Sequence, residues 1–104
     1  MPSPEAPTLN LAQRKHLRRL GHDRKAIVLI GQAGISPTVI AELERALNDH
    51  ELVKVKARVG DRDARAEILT TLAASTRSEL VQRVGNVALF YRRHRSKPGI
   101  VLPD

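Results

Sequence analysis

The stretch "AIVLIGQAGISP" at residues 26–37 decides the fold. Its first five residues form a continuous apolar run rich in branched side chains, the pattern of a strand buried on both faces. Gly31 ends that run. Ser36 is placed to cap a helix, and Pro37 to occupy its first position, where a missing N–H costs nothing. A strand that turns through a glycine corner into a helix is the first half of a strand-helix-strand unit, so a second strand should follow.

It does. Ile40, Leu43 and Leu47 return at helical spacing up to His50, with Glu42, Glu44 and Arg45 on other faces. "ELVKVKARV" (51–59) then alternates, with Val53, Val55, Ala57 and Val59 on one face and Leu52, Lys54, Lys56 and Arg58 on the other. Two strands joined by a helical crossover pair in parallel.

Upstream, "NLAQRKHLRRL" (10–20) predicts a helix with Asn10 and Gln13 at capping-box spacing, Leu17 and Leu20 on its buried face and Gly21 as its stop. Downstream, Gly60 turns the chain, Asp61 caps a third helix, and Ile68, Leu69, Leu72 and Ala73 are its buried stripe. "SELVQRV" and "VALFYRR" flank Gly85 and Asn86, which predicts a hairpin. A short last strand is readable in "GIVLP" (99–103). The expected architecture is one compact α/β domain over residues 9–104, with a mixed four-stranded sheet packed with three helices. Residues 1–8, with three prolines and no apolar period, are read as a flexible tail.

The chain of 104 residues is 41% hydrophobic, enough for one modest core. It has no cysteine, hence no disulfide framework and no thiolate chemistry, and no apolar run near the length of a membrane span. A cytoplasmic protein is expected. Eighteen lysines and arginines against eleven acids give a net charge of +7, which suits a polyanion, with nucleic acid first and an acidic protein or membrane surface as rivals. Only Phe90 and Tyr91 are aromatic, so a platform stacking several bases is hard to build and a grip on the RNA backbone is the favoured expectation. By strand alternation Phe90 fills the core and Tyr91 is a weak candidate for stacking.

The glycine corner could serve a phosphate. Gly31 and Gly34 leave backbone N–H groups open beside the positive end of a helix dipole. The corner lacks the Gly-Lys-Ser/Thr of a P-loop and the third glycine of a dinucleotide site, which favours RNA backbone over a bound nucleotide. The plainer account is a tight turn. Charge is available from the first helix (Arg14, Lys15, Arg18, Arg19), from Lys25, from the row Lys54, Lys56 and Arg58, and from "RRHRSK" (92–97), with Arg93 as the expected contact. Any one of these residues alone reads first as part of a solvated face.

Other chemistry is poorly supported. His16, His22, His50 and His94 are scattered without metal-ligand spacing. Asp61 and Asp63 could hold magnesium for a nuclease, but capping explains them. Ser36 is a cap before a nucleophile. No enzyme, cofactor, metal or small-molecule substrate is expected.

"RKHLRRLGH", "IVLIGQAGIS", "ALNDHELVKVKA", "DRDARAEI" and "LVQRVGNVALFYR" resemble, in order, the CRM domain, the chloroplast RNA splicing and ribosome maturation module, in its bacterial single-domain YhbY-like form. The resemblance spans about residues 9–103. It implies a fold similar to the C-terminal domain of a translation initiation factor, RNA binding through the G-x-x-G loop (Gly31, Gln32, Ala33, Gly34) with nearby basic residues, and association with precursors of the large (50S) ribosomal subunit. Two departures stand out: no basic residue lies between the glycines, and Ala26 stands where proline is common. The resulting expectation is a monomeric RNA-binding protein acting on ribosomal RNA, with Arg14, Lys15, Arg18, Arg19, Lys25, Lys54, Lys56 and Arg93 as anchors. The rival is a ribosome-associated protein-interaction module with a basic surface.

Overall fold

The computed structural model describes residues 9–104, so the reading of residues 1–8 as a tail lies outside it. The capping box forms as its spacing predicts: Asn10 Oδ1 accepts from the Gln13 N–H at 2.8 Å, and Gln13 Oε1 accepts from the Asn10 N–H at 3.0 Å. These bonds open α1 (Leu11–His22), followed by β1 (Ala26–Ile30), α2 (Pro37–His50), β2 (Leu52–Ala57), α3 (Arg62–Thr76), β3 (Glu79–Val84) and β4 (Val87–Tyr91). The sheet order is β1-β2-β4-β3. β1 and β2 are parallel, as a helical crossover requires, and β4 pairs antiparallel with both β2 and β3.

The alternation in the sequence divides the core in two. Val53, Val55 and Ala57 of β2 join Val28, Ile30, Ala88 and Phe90 under α2 and α3 (Leu43, Leu47, Leu69, Leu72). Leu52, Leu89, Tyr91 and Val81 pack on the opposite face under Leu9 and Leu17. Each fully buried leucine or phenylalanine contributes about 1.5–3 kcal/mol by leaving water, so both layers stabilise the sheet.

Three local expectations are corrected. Gly21 does not stop α1; it lies in the last turn, buried against Leu89, where an added Cβ would stand 2.5 Å from Leu89 Cδ2. Leu20, expected on the buried face, is exposed, because the helix leans on Leu17 and Gly21. β1 is buried on one face only: α1 lies over β2, β4 and β3, leaving Ile27 53% and Leu29 63% exposed. Continuous apolar character marks a strand, but it does not guarantee a helix on each side.

"GIVLP" is not a strand. It crosses the α1 face as an extended strap, with Ile100 and Leu102 packed on the second core cluster and the Pro103 carbonyl accepting from Gln13 Nε2 at 3.1 Å. Glu51 buckles it down. The buried carboxylate accepts from the backbone N–H groups of Gly99 (2.7 Å), Ile100 (2.8 Å) and His94 (2.8 Å). Burial pushes the Glu51 carboxyl up, but the three N–H donors and the nearby His94 outweigh it and leave the group below its ordinary range. Glu51 also has φ 63°, a left-handed conformation that costs a non-glycine residue about 1–3 kcal/mol and persists because both sides of the bend are held.

Candidate nucleic-acid interface

The corner after β1 is built by short-range bonds. The Gly34 N–H donates to the Gly31 carbonyl at 3.0 Å, and Gly34 has φ +74°, so glycine is needed there by conformation. Ile35 then packs on the core, and Ser36 Oγ accepts from the Val39 N–H at 3.2 Å. With Pro37 lacking an N–H, the donors without a hydrogen bond to the described residues include those of Gln32 and Ala33, whose residues are exposed at the N-terminal end of the α2 dipole. Gly31 differs from Gly34. Its φ is not positive, and a Cβ built on it meets nothing within 4 Å. Neither conformation nor packing inside the protein requires glycine at 31.

Arg58 closes on this corner. Its N–H donates to the Ile30 carbonyl at 2.8 Å, bringing the residue after β2 beside Gly31. The hairpin tip arrives at the same end: the Ala57 N–H donates to the Asn86 carbonyl at 2.7 Å, and Arg83 Nη1 reaches the Arg62 carbonyl at 3.5 Å. Arg58, Arg62 and Arg83 are all exposed. On the open face of the sheet Lys56 pairs with Leu29 and Lys54 with Ala26, both lysines half-buried. Lys54 continues into a groove of about 350 Å³ that it shares with Arg18 and His22 of α1.

The expected basic residues therefore divide. Lys54, Lys56 and Arg18 stand on the face that leads to the 31–34 loop, and Lys25 is exposed at the start of the strand that ends there. Lys15 and Arg19 are exposed on α1. Arg14 is engaged by the protein, with Nη2 3.4 Å from the Glu79 carboxylate and Nη1 donating to the Leu80 carbonyl at 3.2 Å. Arg93 lies apart from the loop in a basin of about 730 Å³ at the C-terminal ends of α2 and α3. There Arg92 pairs with Glu44 at 2.8 Å and donates to the Thr76 carbonyl, joining the two helices. Arg58 was readable as the next step of the Lys54, Lys56 alternation; Arg62 and Arg83 carried no sequence signal, because only the tertiary fold brings the hairpin tip to the end of β2.

Tyr91 is corrected as a stacking candidate: it is 1% exposed, and its hydroxyl is buried without a hydrogen-bond partner. Burial, reinforced by the Glu51 charge and opposed by Arg93, pushes its hydroxyl pKa up. Asp61 caps α3, accepting from the Ala64 N–H at 2.9 Å. Among the described residues no group of three or more His, Asp or Glu side chains is arranged to hold a metal ion. No helix among them is long and apolar enough to cross a membrane.

Residues 9–92 match the family described as the CRS1 / YhbY (CRM) domain. The chain is 45% identical over 86 residues to a probable RNA-binding protein of Pseudomonas aeruginosa, covering 83% of each chain. It is 36% identical over 85 residues to an RNA-binding protein of Haemophilus influenzae, covering 82% of this chain and 86% of that one. The solution structure of a Staphylococcus aureus protein described as a candidate RNA binder superposes with a TM-score of 0.80 at 35% identity, covering 92% of this chain and all of that one.

Proposed function

The chain belongs to the CRS1 / YhbY (CRM) domain family, and from that membership we propose that it is a non-enzymatic RNA-binding protein of the cytoplasm, acting as a monomer on ribosomal RNA during assembly of the large subunit. Residues 9–104 form the RNA-binding domain. The open N–H groups of Gln32 and Ala33 take a backbone phosphate at the start of α2, and Gly31 and Gly34 let the backbone come close. Arg58, Lys56, Lys54 and Arg18 neutralise the phosphates on either side, and Lys15, Arg19 and Lys25 extend the field. Because no side chain between the glycines is charged, the loop supplies geometry and the neighbouring strands supply charge.

The observation that carries this reading is Gly31. It needs no positive φ and a Cβ on it would meet nothing within 4 Å, which leaves its backbone open to close approach from outside and supports the loop as the phosphate contact. The test is sedimentation of the protein in a cell lysate through a sucrose gradient at low and high salt. Co-migration with a precursor of the large subunit, released by salt, is the expected result. A protein that stays at the top of the gradient even at low salt contradicts the ribosomal target.

A further inference from the structure

The groove beside α1 is lined by Arg18, Gly21, His22, Lys54, Gln82 and the aliphatic run at Val84 and Val87–Leu89, with no carboxylate among them. We propose that it holds one unpaired nucleotide of the bound RNA, so that the protein recognises a helix next to a bulge or single-stranded junction. This rests on the RNA-binding reading above. The positively charged wall selects an anion, and the aliphatic floor selects a flat apolar face; a nucleotide removed from its stack offers both. A fully paired helix keeps the faces of its bases stacked on one another and offers none to this floor.

Two features give the groove its shape. Gly21 has no Cβ, which lets α1 sit directly on Leu89 and leaves the space beyond the last turn open toward β3. Val84 is 64% exposed at the rim, a large apolar side chain that the protein's own packing does not use. Gln82 pairs in register with Leu89 and offers both a donor and an acceptor to a base edge. With both aromatic residues of the chain buried, contact with the base falls to aliphatic side chains. Lys56, opposite Leu29, continues the surface toward the glycine loop, so one RNA can occupy both places.

The test compares two hairpins of equal length, one fully paired and one carrying a single unpaired 2-aminopurine, by fluorescence anisotropy and by the intensity of that base. The protein should bind the second about fivefold more tightly and raise its fluorescence, as unstacking without an aromatic partner does. Gln82→Ala with Val84→Ser, neutral changes at non-core positions, should abolish that preference; a thermal melt checks that the variant is folded. Equal affinity for both hairpins with unchanged fluorescence overturns the nucleotide site while leaving RNA binding in place. Failure to bind either hairpin at low salt overturns the RNA reading and the groove proposal together. Loss of ribosomal co-sedimentation in the variant, with its discrimination between hairpins intact, makes the groove a protein-docking face and overturns the proposal.

Discussion

The N–H of Arg58 donates to the carbonyl of Ile30 at 2.8 Å, so a cationic residue from the end of one strand stands beside the first glycine at the end of its parallel neighbour. The bond is between backbones, so the exposed Arg58 side chain is free to be replaced without undoing it. Arg58→Glu should weaken RNA binding about tenfold and lower the salt slope by about one, measured by anisotropy at several salt concentrations. Arg14→Gln should behave oppositely, lowering stability by about 1 kcal/mol through its lost contacts at Glu79 and Leu80 while leaving RNA affinity unchanged.

Acid should release the C-terminal strap. The Glu51 carboxyl is held below its ordinary value of 4.5, so the stability it contributes is fully present above that value and is lost as the pH falls through the lower folded-state value. Glu51→Gln should cost about 2–3 kcal/mol at neutral pH, because charge-assisted bonds to three N–H groups become weaker or are lost. Urea unfolding at neutral and acid pH checks this: the gap between wild type and variant should shrink as the pH drops.

Gly21→Ala should destabilise the protein. Alanine favours the helix by about 1 kcal/mol, but its methyl group would stand 2.5–2.7 Å from both terminal carbons of the buried Leu89. Overpacking of this kind costs about 1–3 kcal/mol, and the expected net loss is about 1 kcal/mol by denaturant unfolding.

Tyr91→Phe should be neutral or stabilising by up to about 1 kcal/mol, since it removes a buried hydroxyl that has no partner. RNA affinity should not change. A loss of affinity in a folded variant would restore Tyr91 to the interface.

Local signals read well from the sequence because each has a local cause. Asn10 and Gln13, Ser36 and Pro37, and Asp61 form the helix starts that their chemistry predicts, and the alternation of β2 sorts its two faces correctly. The misreadings concern what covers what. Nothing in "AIVLI" says that α1 lies over β2, β4 and β3, and nothing in "GIVLP" says that Glu51 holds it as a strap and denies it a strand partner. The same limit governs the proposed RNA site. The glycine loop is contiguous and legible, whereas the placing of Arg58 beside it, the meeting of Arg62 and Arg83 at the same end of the sheet, the engagement of Arg14 and the separation of Arg93 follow from the tertiary fold.

The most direct test of the central claim is the affinity of Gly31→Asp for a structured RNA, measured across a salt titration beside the wild type. Gly31 is the right position because a Cβ there has nothing within 4 Å, whereas Gly34 has φ +74° and would add backbone strain to any result. The account predicts a folded variant with an unchanged melting temperature and RNA affinity reduced about tenfold or more, as expected when a carboxylate faces a phosphate. Wild-type affinity in that folded variant would contradict it and move the RNA site away from the loop.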